Sequence, residues 1–483
     1  MLLSDGYKLD HRRQYPEGTE YVYSNFTPRN GRDARDKGVI FFGLQYLLQE
    51  YFIERANTTF FWRNKEEVVE EYRQFIGDYA GLNDVSHIEE LHDLGYLPLV
   101  VRSVPEGTFV PYGVPVLTVE NTHPRFFWLT NYVETLISCT LWMACTSATK
   151  ARDYRKVLDE FSAKTSDVPE FVDFQAHDFS MRGMPMIEAA QISGAAHCLS
   201  FTGSDCLPSV WFLKEYYNAT GFIAGGVPAT EHSVMCAGGE EDEDETYERL
   251  LTEIYPNGIV SIVSDTWNLW DVLTKIIPGL HLKIMEREGK FVVRPDSGDP
   301  ADILCGDVTA PGNTPESKGV IQLLWEEFGG TVNSKGYKVL DPHIGTIYGD
   351  SITVDRARNI CERLEAAGFS SDNVVFGVGS YTYQLVTRDT HGFAMKATWV
   401  QINDQGKIIQ KRPKTDKGGL KKSAKGRLIV REKHGALELV DNLTPDTQNG
   451  YRYADVMEMF WKDGEFYIKT DLDEMRERVR QAA

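Results

Sequence analysis

Arg294 and Asp296 stand in RPDSGDP directly after a short apolar run, and this pairing is the strongest chemical signal in the chain. A guanidinium fixed at a strand end binds phosphate in bidentate fashion or stacks on an aromatic ring. A carboxylate two residues on accepts from sugar hydroxyls or holds a magnesium ion. An Arg–Asp pair that only closes a turn fits the same residues. The GDS at 349–351 sets the bare backbone of Gly349 beside the Asp350 carboxylate at a helix start. The GVGS at 377–380 offers the N–H groups of Gly379 and Ser380 at another. Together they describe a cradle for a sugar phosphate, with the carboxylate on hydroxyls and the amides on the terminal phosphate. Taken alone, a G-x-G is more often a tight turn.

Three further turns carry candidates. In HDFSMRG, Phe179 suits stacking on a flat heteroaromatic ring and Arg182 suits a nearby phosphate, although Phe179 fits a core position equally well. Asp205, closing TGSD, is an acceptor for a carboxamide N–H₂ or a helix cap. His232, in PATEHS, is one of eleven histidines and one of few at such a turn. There an imidazole serves as a nucleophile toward phosphate or as a proton carrier, or is an ordinary surface histidine. Lys411, Arg412, Lys414, Lys417, Lys421, Lys422, Lys425, Arg427 and Arg431 crowd one C-terminal stretch, 407–433, either an anion-binding loop or a solvated one. The acidic run EEDEDE at 240–245 reads as a solvated face.

These turns must be positioned by the runs that precede them. Apolar runs at 171–175, 198–201, 222–224, 259–263, 291–293, 344–348 and 374–376 each end in such a turn, and a helix-like segment follows. Fully buried parallel strands have this appearance. Val354, Ala357, Cys361 and Leu364 recur at helical spacing before Gly368, and Asp265–Thr266 and Asp350–Ser351 offer helix caps. The fold expected is therefore α/β: a TIM-like seven-stranded barrel with its chemistry on one face, with an open doubly wound sheet as the alternative. Flanking runs at 97–122, 395–402, 428–431 and 465–469 read as strands of a discontinuous, mostly β second domain. The expected domains are 1–150 with 385–483, and the barrel 151–384.

Composition narrows the partners. The chain has 483 residues, 42% hydrophobic and 25% charged, with formal net charge −20. Tight binding to nucleic acid or an anionic membrane is not expected at that charge. Seven scattered cysteines without a C-x-x-C pair speak against a disulfide framework or a structural zinc site. No signal core and no long apolar run appear, so a cytoplasmic protein is expected.

In order, SDGYKLDHRRQYPEGTEYVYSNFTPR, GLQYLLQEYF, HDFSMRG, FTGSD, VPATEHS, SDTWN, RPDSGDP, GDSI, LVTRD and KGRL resemble the nicotinamide phosphoribosyltransferase family of type II phosphoribosyltransferases, over nearly the whole chain. The resemblance implies a seven-stranded α/β barrel, a discontinuous β-rich domain, and a homodimer with active sites at the interface. It implies that phosphoribosyl pyrophosphate and nicotinamide give nicotinamide mononucleotide and pyrophosphate, in NAD salvage. Nicotinamide would lie between Phe179 and Tyr7 of the partner subunit, with Asp205 on its amide and Arg294 bordering ring and sugar phosphate. Asp296, Gly349 and Asp350 would hold the ribose and the magnesium-bound pyrophosphate, with Asp265 close by as a second carboxylate for Mg²⁺. Arg182, Gly379 and Ser380 would serve the phosphates. Arg29, Arg388, Lys396 and Lys411 would add positive charge, several from the partner chain. His232 resembles the histidine that the family phosphorylates with ATP to drive the reaction.

This sequence departs from the family at three glycine-related places. Gly226 and Gly6 stand where serine is common, and Val378–Gly379–Ser380 replaces a more usual Ser-Gly-Gly. The nearest rival activity is nicotinate phosphoribosyltransferase, which Asp205 disfavours by setting like charges together. A non-catalytic binding protein on the same scaffold is the rival from another class.

Overall fold

The last four apolar runs become strands where expected: Asn257–Val263, Glu288–Arg294, Ile344–Tyr348 and Val374–Val378. The computed structural model describes residues 1–32, 37–349, 351–415 and 422–482, so Asp350, Lys417 and Lys421 lie outside the described residues. The first three runs differ from expectation. Residues 171–175 form short helical turns, and the strand is Ala176–Asp178. Residues 198–201 finish the helix Ile187–His197 as a turn, and only Gly203–Ser204 is strand. Residues 222–224 form no strand; Gly225 and Ala229 make isolated parallel bridges instead. An apolar run this short fits one buried helical turn as well as a strand.

Every pairing among the barrel strands is parallel. The sheet runs from Gly203–Ser204 through Ala176–Asp178, Val374–Val378, Ile344–Tyr348 and Glu288–Arg294 to Asn257–Val263. Gly225 bridges to Gly203 at one edge, and Ala229 bridges to Ser261 at the other. The segment 225–229 thus closes the ring as a seventh, thinner stave, in sequential strand order. All strand carboxyl ends consequently share one face, as in other α/β barrels.

The helices begin later than the sequence suggests. Thr353, downstream of Ser351, caps Val354–Ala366 by accepting from Arg356 N–H at 3.2 Å. Asn268, not Asp265 or Thr266, accepts from the N–H groups of Trp270 and Asp271. In both loops the cap lies downstream of the expected residues, and the Asp265 carboxylate accepts from Asp296 N–H instead. Helix Val354–Ala366 buries Ala357, Ile360, Cys361 and Leu364 toward the strands.

The chain divides into two compact units: 1–149 with 212–219 and 386–482, and 150–211 with 220–385. The first unit is built on a seven-stranded sheet that interleaves both ends of the sequence. Thr19–Thr27 pairs antiparallel with Ala394–Ile402 on one side and with Leu117–Asn121 on the other. Phe26 stacks on Phe393 across that seam, with ring centroids 5.2 Å apart. Arg427 lies against the faces of Tyr23 and Trp399 while pairing with Glu120, so its charge is buried but satisfied. The run at 465–469 yields only the short strand Glu465–Phe466. Among the described residues no helix is long and apolar enough to cross a membrane.

Candidate active site

The residues singled out in the barrel follow its strands directly, and the geometry gathers them into three groups. Phe179, Asp205 and Arg294 line one cavity of about 170 Å³ in the barrel unit. Phe179 donates its N–H to Val378 O at 2.9 Å, which pins the turn after Ala176–Asp178 to the neighbouring strand. Its ring crosses Gly377 so closely that a Cβ there would come within 2.7 Å of it. Gly377 is therefore the surface on which the ring rests. Asp205 donates its N–H to Asp178 O at 3.1 Å, which holds the second turn beside the first.

Arg294 points into the same space. Its Nη2 donates to Thr230 O at 2.7 Å, and its Nε is buried with no acceptor among the described residues. Burial lowers its pKa, opposed by Asp296, Asp205 and Asp265, which surround the guanidinium with negative charge. Loss of solvent at the cavity rim raises the Asp205 pKa; Arg294 and Arg182 oppose it, and Asp178 adds to it. A Cβ on Gly226 would collide with Oδ1 of Asp205, so this departure from the family pattern lies at the carboxylate itself.

The second group is acidic. Asp265 Oδ2 accepts from Asp296 N–H at 2.9 Å and from the Ser297 hydroxyl. Asp265 Oδ1 is buried with no hydrogen-bond partner among the described residues. His232 starts the helix His232–Gly238 and pairs its Nδ1 with Thr266 Oγ1 at 3.1 Å. Its Nε2 faces the carboxylates, 3.8 Å from Asp296 and 4.0 Å from Asp265. Gly349 packs on the same group: a Cβ there would lie 2.5 Å from Asp296 Oδ1. Only glycine lets the backbone come this close. At the third corner, a Cβ on Gly183 would collide with the Ser380 hydroxyl, so the Arg182 turn lies against the Gly379–Ser380 turn. Gly379 precedes the short helix Ser380–Gln384, and Val378 buries its side chain in the barrel core.

The remaining candidates belong to the other unit. Lys396, Lys411, Arg29 and Arg388 form one cationic group, in which the three neighbours and burial all depress the Lys396 amine. Glu134 relieves it, 3.9 Å from Lys396 and 2.8 Å from Lys8. Tyr7 is 65% exposed, with Lys8 Nζ 5.2 Å from its ring centroid. Asp350 cannot be placed, since it lies outside the described residues.

Two liners escape notice in the sequence. His177 and Ser261 also line the cavity, each with a buried polar side-chain atom that has no partner among the described residues. Burial lowers the His177 pKa to about 4, so it stays a neutral imidazole. The available signal is a polar residue within an otherwise apolar barrel strand, and it is a weak one. Lys290 and Asp372 line the same cavity farther from the strand carboxyl ends.

Comparison with known proteins bears on this arrangement. The nicotinate phosphoribosyltransferase family model matches residues 174–454. The model for the nicotinamide phosphoribosyltransferase N-terminal domain matches residues 1–99. A nicotinamide phosphoribosyltransferase of Acinetobacter baylyi is 50% identical over 490 aligned residues, covering 99% of this chain and 96% of the relative. The crystal structure of a nicotinate-nucleotide pyrophosphorylase from Pyrococcus furiosus superposes with TM-score 0.57 at 16% identity, covering 99% and 94% of the two chains. The human nicotinic acid phosphoribosyltransferase superposes with TM-score 0.55 at 14% identity, covering 100% and 93%. At those identities the structural matches speak for the fold alone.

Proposed function

The chain belongs to the nicotinate phosphoribosyltransferase family and carries the N-terminal domain of its nicotinamide phosphoribosyltransferases, and from that membership we propose how its own residues make nicotinamide mononucleotide. The pyridine nitrogen of nicotinamide has a free lone pair, so attack on the ribose anomeric carbon needs no general base. The demanding event is departure of pyrophosphate, which leaves oxocarbenium character on the sugar.

Phe179 stacks on the pyridine ring, with Tyr7 of the partner subunit on the opposite face in a homodimer. Asp205 accepts from the carboxamide N–H₂, and Arg294 spans the ring edge and the sugar phosphate. Stacking and this hydrogen bond fix the nucleophile for in-line attack with inversion. Asp296, Gly349 and Asp350 hold the ribose and pyrophosphate. Arg182 and the N–H groups at Gly379 and Ser380 receive phosphate, and Arg29, Arg388, Lys396 and Lys411 supply further positive charge.

Asp265 and Asp296 suit a magnesium ion, because Asp265 Oδ1, buried without a hydrogen bond among the described residues, and the adjacent Asp296 carboxylate match the one or two carboxylates that Mg²⁺ takes beside substrate phosphates. When bound, the ion neutralises charge on the leaving pyrophosphate. His232 accepts a phosphoryl group from ATP, its ring oriented by Thr266 and facing Asp296.

The observation that carries the pyridine assignment is Asp205 at the cavity that Phe179 and Arg294 also line. A carboxylate there repels nicotinate and accepts from nicotinamide. Purified protein with Mg²⁺, phosphoribosyl pyrophosphate and either pyridine, with and without ATP, tests the reading by mass of the mononucleotide. Product from nicotinamide, with an ATP stimulation lost in His232→Ala, is expected. Product mainly from nicotinate overturns the Asp205 role, and stimulation that survives in His232→Ala overturns the phosphohistidine role.

A further inference from the structure

A second cavity, of about 540 Å³, lies in the barrel unit beyond the helix that His232 begins. All of the acidic run Glu240–Glu245 except Asp242 lines it, with Glu248 and residues of 267–283. Two of its carboxylates are already matched: Asp271 to Lys275 at 2.8 Å and Glu248 to Lys283. Glu240, Glu241, Glu243, Asp244 and Glu245 have no cationic partner among the described residues.

Acidic residues in the first turn of Glu243–Arg249 complement the helix dipole, and that accounts for the exposed Asp244 and Glu245. It does not account for Glu243. This side chain is 7% exposed, lines the cavity, and keeps its Oε1 buried with no hydrogen-bond partner among the described residues. A buried carboxyl with no donor is costly unless a ligand or another group answers it. Burial, with Glu240, Asp244 and Asp271 nearby, pushes its pKa up to about 7.

We propose that this cavity is a binding site for a linear aliphatic polyamine, with Glu243 taking one ammonium group and Glu240, Glu241, Asp244 or Glu245 the others. Among the described residues no three ligating side chains converge as a metal ion requires. Carboxylates of five of the six residues 240–245 line the cavity and offer separate partners for separate ammonium groups. Trp267, Ile276 and Leu280 also line the cavity and give it apolar surface for methylene segments. The site is independent of the pyridine cavity and of the reaction proposed above.

Calorimetric titration of the full chain with spermidine tests it, alongside the variants Glu243→Gln and Glu240→Gln/Glu241→Gln. The double variant alters exposed residues only and covers the case in which the buried one disturbs folding. Saturable binding that weakens at least about tenfold in both variants is expected, with nicotinamide mononucleotide formation unchanged in the double variant. Absence of saturable binding, equal affinity in wild type and the double variant, or displacement of spermidine by equimolar Mg²⁺ overturns the proposal; the last outcome makes the cavity a metal site.

Discussion

The two halves of the barrel ring are built differently. Ala176–Asp178, Gly203–Ser204 and the bridges at Gly225 and Ala229 form a wall of very short pairings. Asn257–Val263, Glu288–Arg294, Ile344–Tyr348 and Val374–Val378 form a wall of regular strands. In the proposed reading the thin half carries Phe179, Asp205 and Gly226 toward a flat uncharged ring. In the same reading the regular half carries Asp265, Arg294, Asp296, Gly349 and Gly379 toward sugar and phosphates, to which Arg182 of the thin half also contributes. Charged groups aimed at a developing charge need rigid support, because small misplacement is expensive in rate. A stacked ring tolerates more. The comparison predicts that changes in the regular half act mainly on turnover and that changes in the thin half act mainly on the choice of pyridine.

The largest effect is expected from Asp296→Ala. Loss of a carboxylate that holds ribose and metal should cut kcat/KM by about a thousandfold or more. The unfolding midpoint should stay within roughly 2 °C of wild type, because the side chain is partly exposed and holds no packing together. Steady-state kinetics beside a thermal melt checks both, and near-normal turnover would remove Asp296 from the chemistry. Gly349→Ala should follow at about a hundredfold, since its Cβ would lie 2.5 Å from Asp296 Oδ1 and push the carboxylate off its position. A loss confined to the KM for nicotinamide would contradict the division between the halves.

The pH dependence sharpens the thin half. The Asp205 pKa is raised, so the carboxyl becomes neutral at less acidic pH than an ordinary aspartate. Neutralisation removes the like-charge contact with nicotinate and one acceptor for nicotinamide. From about pH 8 to about pH 5 the nicotinate-to-nicotinamide ratio of kcat/KM should therefore rise several-fold. A flat ratio would place Asp205 away from the pyridine substituent. The smallest effect is expected from Gly226→Ser, whose Cβ must displace the Asp205 carboxylate. A change of about two- to fivefold in the KM for nicotinamide, with kcat nearly constant, is the expected result.

The same division governs what the amino-acid sequence reveals. Runs such as 344–348 read as strands because all five residues are apolar or small and all are buried. Runs 171–175 and 198–201 are also largely apolar, yet they pack as a helical turn and a helix end, and no periodicity in so few residues separates the cases. Caps at Thr353 and Asn268 escape notice because Asp265 and Ser351 have equally good capping side chains. Site residues are more legible than strand bounds. Arg294, Asp296 and Gly349 stand out because a charged residue or glycine directly after an apolar run has little structural reason to be there. His177 and Ser261 do not, since single polar residues in barrel strands carry no such mark. The cationic group of Arg29, Arg388, Lys396 and Lys411 is assembled across 383 positions of sequence, and only the interleaved sheet brings it together.

One measurement tests the central claim most directly: kcat/KM for nicotinamide and for nicotinate, at fixed Mg²⁺ and phosphoribosyl pyrophosphate, in the wild type and in Asp205→Ser. The account predicts a wild type that strongly prefers nicotinamide. It predicts a variant in which the preference narrows by about tenfold or more, because nicotinate activity rises as nicotinamide activity falls. A wild type that prefers nicotinate, or a preference unchanged by Asp205→Ser, would contradict it.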